Sequence, residues 1–301
     1  MKFISRKVIK GQPYFYLQFQ GVSRLLGNRL PDDLEGQMLR FFLEWGKKRS
    51  AKLPQAVLKE FPYGNLAKME EARGWYACVS GSELFINEFE DFRKLFSIHF
   101  TFNSNRSEGS KTTRPEVEAY AKVFPRKPKT RTETEIADSF EAIDFAFSKK
   151  MKWTPQGISK VHKILLKKLN PMIAGKWKQE SNVAPGNQPT LPPKEVKRAI
   201  NSLLADLKKD FKDKKYPSLI AIRFYTRFEH IHPFDDGNGR VGRILFNAIL
   251  HKYGYLPIVF FNENHKNHCE ALTQAIGGRP AKFKKHFLSQ AEKTFKLFGI
   301  L

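Results

Sequence analysis

The chain is poor in cysteine, short of acidic residues and without a long apolar run. Cys78 and Cys269 are its two cysteines in 301 residues, far apart and in unrelated contexts. That excludes a disulfide framework and a cysteine-based metal site, and it makes a reducing, cytoplasmic setting the expectation. The most apolar patch, Tyr255-Leu-Pro-Ile-Val-Phe-Phe261, is far too short to cross a bilayer. The opening Met-Lys-Phe-Ile-Ser-Arg-Lys lacks the apolar centre of a secretory signal. Against 53 Lys and Arg stand 30 Asp and Glu, a formal net charge of +23. Such an excess predicts attraction to polyanions: nucleotides, nucleic acid or acidic proteins. It does not choose among them, and lysine spread along the whole chain also reads as a solvated basic surface. No internal repeat is visible, and biased segments are short lysine clusters such as Lys208-Lys-Asp-Phe-Lys-Asp-Lys-Lys215.

What is present is ample core material: 41% hydrophobic residues, including 27 Phe. The length favours two domains, or one core with a substantial extension. Residues 3–28 read as short strands, Lys7-Val-Ile and Tyr14 to Phe19, turned at Gly11-Gln-Pro13. From residue 33 the period becomes helical, with Leu34, Met38, Phe41, Phe42 and Trp45 on one face. Residues 53–61 and 83–102 also fit helices, while 115–134 is basic, contains proline and must include a loop. Helices are then expected at 136–150, 154–169, 193–212, 218–231, 238–252 and 265–298. Thr154-Pro155 suits a helix start, with threonine as cap and proline in the first helical position.

The most informative stretch is His232-Pro-Phe-Asp-Asp-Gly-Asn-Gly-Arg-Val-Gly-Arg243. A histidine takes a proton near neutral pH. An aspartate can hold Mg²⁺, which is usually bound through one or two carboxylates plus substrate phosphates. A Gly-Asn-Gly turn entering a helix offers backbone N–H groups to an anion. Arginines three apart on that helix share a face and can grip phosphate in fork geometry. Pro233 disfavours helix at His232, Phe234 is expected to plug the loop into the core, and Asn238 is expected to cap the next helix. The arrangement has the logic of a P-loop without its preceding strand or its Gly-Lys-Ser/Thr ending.

These residues resemble the motif of the Fic family, His-x-Phe-x-Asp/Glu-Gly-Asn-Gly-Arg-x-x-Arg. It is complete here in His232, Phe234, Asp236, Gly237, Asn238, Gly239, Arg240 and Arg243. The flanks, Phe228-Glu-His-Ile231 and Ile244-Leu-Phe-Asn247, agree, and the resemblance covers roughly residues 100–290. It implies transfer of AMP from ATP to a Ser, Thr or Tyr hydroxyl of a protein. By that resemblance His232 is the general base and Asp236 holds Mg²⁺. Gly237, Asn238 and Gly239 form the anion hole, Arg240 and Arg243 bind the outer phosphates, and Phe234 is structural. Asp235 occupies the motif's variable position and is expected to be solvated.

Upstream, Ser104-Asn-Arg-Ser-Glu108-Gly109 looks like the family's inhibitory motif. The resemblance implies a helix whose Glu108 pairs with Arg243 and competes with the γ-phosphate. Ser107 stands where the family often has an apolar residue. Segment 175–196, with Trp177, Lys178 in place of a common arginine, and Val183, resembles the family's flap, a hairpin that aligns the target by strand addition. His162, among Val161, Ile164 and Leu165, reads as a packed core residue. His265 and His268 lack an evident third ligand. Asn262 and Asn264 are placed near the nucleotide's base or ribose.

The expected fold is mainly α: a Fic-type helical core with a short β-hairpin flap, plus an N-terminal α+β extension. Its domains are taken as 1–100, 101–290 and a helix end at 291–301. The function expected from the resemblance is an autoinhibited, Mg²⁺-dependent protein adenylyltransferase, with self-modification, a possible homodimer and no membrane association. Phosphate or phosphocholine transfer goes with altered motifs in the family. One alternative is removal of AMP from a modified protein. Another is nucleic-acid or partner docking by residues 1–100, with Tyr14, Phe15 and Tyr16 stacking on bases. The blander reading of those aromatics is the inner face of a small sheet.

Overall fold

A computed structural model describes residues 2–184 and 188–300 and divides the chain into two compact units. The first comprises Met1–Arg93, Gly254–Leu256 and Phe295–Leu301; the second comprises Lys94–Tyr253 and Pro257–Thr294.

The first unit opens with an antiparallel sheet, β1 (Ile4–Ile9), β2 (Gln12–Phe19) and β3 (Val22–Gly27), in that order. Lys10-Gly11 and Gln20-Gly21 make the two turns with positive φ at both residues (50° and 78°; 44° and 81°), the conformation that matches strand twist. The expected hairpin therefore gains a third strand, and its first turn lies one residue earlier. Tyr14 and Tyr16 point away from the face that carries Leu17, as period-two alternation requires. Lys7 lies over the Tyr16 ring, so the three neighbouring aromatics do not share an inner face. Phe3 and Leu17 pack on Met38, Phe41 and Phe42 of α1 (Leu34–Ser50), whose start is capped by Asp33 accepting from Gly36 N–H at 3.1 Å.

After the single turn α2 (Gln55–Leu58) comes α3 (Tyr63–Gly81), a helix absent from the sequence reading. It is buried on several sides, so no apolar stripe marks it. A Cβ at Gly74 would fall 2.1 Å from the Phe42 carbonyl oxygen, and one at Gly46 would fall 2.3 Å from that of Glu70. Glycine at both positions brings α1 and α3 backbone to backbone.

The division between units falls within α4 (Ile86–Ser107). In the second unit follow α5 (Arg114–Ala121), α6 (Arg131–Phe147) and α7 (Pro155–Leu166). Then come the hairpin strands β4 (Val183–Ala184) and β5 (Gln188–Pro189), and α8 (Pro193–Lys212), α9 (Pro217–Ile231) and α10 (Asn238–Lys252). The unit's last helices are α11 (His265–Ile276) and α12 (Ala281–Leu297), the latter ending in the first unit. The single helical stretch expected over 265–298 is thus broken, at Gly277-Gly278-Arg279-Pro280, where Gly278 adopts φ 82°. The helix at Arg114–Ala121 was also hidden inside a segment read as loop-bearing. Thr154 caps α7 by accepting from Gly157 N–H at 3.1 Å.

The core of this unit is α10, buried continuously from Asn238 to Leu250. Helices α6, α7 and α9 pack around it. Among the described residues no helix is long and apolar enough to cross a membrane.

Candidate active site

The site forms where α9 ends and α10 begins. His232 caps α9 in the left-handed conformation (φ 48°, ψ 62°), its N–H still bonded to Phe228 O at 2.9 Å. That turn swings the imidazole back over the helix end, where Nδ1 lies 3.3 Å from the Glu229 carbonyl oxygen. With Nδ1 facing an acceptor, the proton resides on Nδ1 and Nε2 carries the lone pair. The His232 side chain is 14% exposed.

Phe234 is fully buried, stacked on His162 with ring centroids 3.8 Å apart and on Trp177 at 4.9 Å. The loop is closed by Asn238, but not as a cap. Its side-chain oxygen accepts from Phe234 N–H at 2.9 Å and its amide donates to Phe234 O at 2.7 Å. Gly237, at φ 76°, occupies the cap position instead. What Asn238 can offer an anion is its main-chain N–H. Helix geometry leaves this group, and those of Gly239 and Arg240, without intrahelical acceptors, so all three are available to a negative charge.

Asp236 is 57% exposed. One of its oxygens accepts from Gly237 N–H at 2.6 Å and the other lies 3.2 Å from Arg240 Nη2. No group of three or more metal-ligating side chains occurs among the described residues. The donor set is a lone accessible carboxylate, which fits Mg²⁺ only when phosphates supply other ligands. Arg240 is buried, with Nη1 3.6 Å from Glu135 and Nε lacking a hydrogen-bond partner. Asp235 is exposed, as expected, and accepts from Gln179 N–H at 3.3 Å.

Arg243 is buried and held by the end of α4. Its Nε donates to Ser104 Oγ, and its Nη2 donates to Ser104 O, both at 3.0 Å, and to Glu108 Oε1 at 2.8 Å. Burial disfavours charge on both partners, yet the pairing wins. Glu108 is held below the usual carboxylate range by Arg243, and Arg243 is raised above its ordinary value by Glu108. Glu108 terminates α4 in a Schellman arrangement: Ser110 N–H bonds to Asn105 O and Gly109 N–H to Arg106 O, at 3.1 Å each, with Gly109 at φ 84°. Glycine in this motif therefore has a backbone reason. The carboxylate lies against the first turn of α10, where a Cβ at Gly239 would stand 2.2 Å from Glu108 Oε1. Ser107 donates to Asn103 O at 2.9 Å, and its oxygen lies 3.4 Å from Asn262 Oδ1, so polar contacts stand where the family often has an apolar residue.

Two cavities meet at Glu108. One, of about 360 Å³, is lined by Glu108, His232, Gly239, Arg243, Val183 and Cys269, among others. The other, of about 460 Å³, is lined by Glu108, Thr112, Arg131, Glu135, Asp236 and Arg240, among others. Burial pushes the Cys269 thiol up and keeps His265 and His268 low.

Two residues that fix this loop were underrated in the sequence. His162 accepts from Gly175 N–H at Nδ1 (2.8 Å) and so donates from Nε2 to Asp236 O (3.0 Å). Burial lowers it to about 4, consistent with a clamp that is neutral near pH 7. Its neighbours announced burial but not this bridge. Lys178 donates from its backbone to Pro233 O at 2.9 Å, and from Nζ to Asn182, Thr190 and Ile231 O. Burial lowers it to about 8, partly offset by Asp235. These bonds tie the base of the β4–β5 hairpin to the His232 loop; the hairpin's tip, residues 185–187, lies outside the described residues. Val183 is exposed on β4.

Residues 152–250 match the Fic/DOC family. A protein adenylyltransferase Fic of Nematostella vectensis is 26% identical over 256 residues, 83% of this chain and 58% of that protein. Its namesake in Drosophila ananassae is 26% identical over 156 residues, 52% of this chain and 31% of that protein. The chain thus spans between about a third and three fifths of these curated relatives. A probable protein adenylyltransferase of Aquifex aeolicus is 41% identical over 87 residues, 27% of each chain. Among solved structures, a Fic-domain-containing signalling protein from Bacteroides thetaiotaomicron shares the fold at TM-score 0.66 and 20% identity, covering 77% of this chain and 95% of that one.

Proposed function

The chain carries a Fic/DOC-family domain, and from that premise we propose that it transfers AMP from ATP to a hydroxyl of a protein, held in check by Glu108. The observation that carries the reading is one cavity lined by His232, Gly239, Arg243 and Glu108: a base, the start of an anion-binding helix, a phosphate-gripping cation and a carboxylate competing for it. The N–H groups of Asn238, Gly239 and Arg240 hold phosphate oxygens. Nε2 of His232 takes the proton of the acceptor hydroxyl, whose oxygen bonds to the α-phosphorus as its bond to the β-phosphate oxygen breaks and pyrophosphate leaves. Arg240 and Arg243 take up the charge gathering on that leaving group. Asp236 would hold a Mg²⁺, which supplies further charge neutralisation to the phosphates when bound. Glu108 on Arg243 stands where the outermost phosphate needs a partner. An extended target segment pairs with the exposed edge of the hairpin, which sets the acceptor by backbone rather than by side chain.

Incubation with ATP and Mg²⁺ followed by mass spectrometry tests this. A Glu108→Gly protein is expected to acquire AMP on its own Ser, Thr or Tyr residues, while the unaltered chain stays nearly unmodified. Phosphate in place of AMP would overturn the donor chemistry. A second reading, removal of AMP, is favoured by the 24% exposure of Glu108, which leaves it able to position a water. Under that reading Glu108→Gly loses activity on an AMP-bearing protein.

A further inference from the structure

One buried carboxylate at the site has no part in the scheme above. Glu229 is 1% exposed, and its Oε2 lies 3.6 Å from Nδ1 of His232. Within 4 Å it has no other ion-pair partner among the described residues, and Oε1 has no hydrogen-bond partner there. A carboxylate so enclosed is costly unless a charge or donor answers it. The protein makes room for it. A Cβ at Gly242 of α10 would stand 2.6 Å from Glu229 Oε1 and 2.8 Å from the Tyr225 ring, so glycine at 242 admits this carboxylate against the helix.

We infer that Glu229 is a positioning residue for His232, its carboxylate adding to the main-chain carbonyl that already faces Nδ1–H and offsetting the positive charge that forms when Nε2 takes a proton. The first half rests on geometry: Glu229 and His232 are three apart on the closing turn of α9, and the left-handed turn folds the ring over it. The second half rests on the proposed AMP transfer, in which the acceptor O–H bond breaks and its proton ends on Nε2.

Other titratable groups line the cavity that His232 faces, and none replaces Glu229. Glu108 at the end of α4 is committed to Arg243 of α10, whose own charge opposes an imidazolium and is also felt by Glu229 at longer range. His265 and His268 of α11, on the same cavity, are kept neutral by burial. In the following loop, Asp235 is bonded to Gln179 and Asp236 to Gly237 and Arg240.

The test uses the full chain in the Glu108→Gly background, with Glu229→Gln removing the charge at nearly constant shape. Nuclear magnetic resonance of labelled histidine, assigned by loss of the signal in His232→Ala, follows the ring without substrate. The titration midpoint of His232 is expected to move about one pH unit lower in Glu229→Gln, the scale for losing an opposite charge at this range. In AMP transfer, kcat is expected to fall roughly tenfold or more, with KM for ATP within about twofold. The acid limb of the rate profile should follow the midpoint. Glu229→Asp, which keeps the charge, is expected to recover much of both and serves if the Gln variant does not fold. An unchanged midpoint in either charge-removing variant, Glu229→Gln or Glu229→Ala, overturns the inference. Absence of AMP transfer in every variant, including the background, would instead count against the proposed function, and the resonance titration would still decide the role of Glu229.

Discussion

Two glutamates press against the same face of α10, three residues apart along it, and they are held in opposite ways. Glu108 lies over Gly239 and Glu229 over Gly242. Glu108 comes from the capped end of another helix and keeps 24% of its side chain in solvent. It is anchored among polar groups: Ser107 to Asn262, and Ser110 and Thr112 to Glu135. Water can substitute for contacts of that kind, so the carboxylate can leave Arg243 without opening a core. Glu229 shares a helix turn with the His232 it faces and is shut off from water. On the proposed function, the difference separates a removable block from a fixed support of the base.

The largest expected effect comes from removing what both carboxylates surround. His232→Ala in the Glu108→Gly background should lower AMP transfer by about 10²–10⁴-fold, read as initial rates. Next, Gly242→Ala should destabilise by about 1–3 kcal/mol, because its Cβ meets an enclosed carboxylate and a ring that cannot retreat. Gly239→Ala should cost less, because it meets the far end of Glu108, which can swing out. Thermal melts of the two variants compare them directly, and equal losses would contradict the distinction.

Smaller effects concern pH. Glu108 is held low by Arg243, so its contribution is present above about 4.5 and lost only as pH falls through the lower folded-state value. Inhibition is therefore expected to persist from pH 8 down to 5, measured as label uptake by the unaltered chain. His162 works at a different pH. Its folded-state value of about 4 lies below the ordinary 6.5, so the unfolded chain binds the extra proton in that window. Stability is present above about 6.5 and lost as pH falls towards 4, by up to about 3 kcal/mol from this group. A melting series across that range should be flatter in His162→Gln.

The motif loop is legible because its residues sit at fixed spacing, and the apolar period over 238–252 matches α10 (Asn238–Lys252). Helix α3 is not, since a helix buried on several sides, with glycines where backbones touch, carries no stripe. The cap on α10 was misassigned because Asn238 has the chemistry of a cap. Its side chain is instead used up in closing the loop on Phe234. Glu229 was visible only as a flanking residue; its burial depends on Gly242, and sequence spacing does not show that contact. The docking reading of residues 1–100 also loses ground, because they hold 16 basic against 11 acidic residues, and the remaining 201 hold 37 against 19. The basic surplus lies mainly outside that segment.

The most direct measurement is uptake of label from ATP carrying it in the α-phosphate, in three proteins: the unaltered chain, Glu108→Gly, and Glu108→Gly with His232→Ala. The account predicts little label in the first, strong label in the second and none above background in the third. Equal label in the first two would contradict inhibition by Glu108, and label retained in the third would contradict His232 as the base.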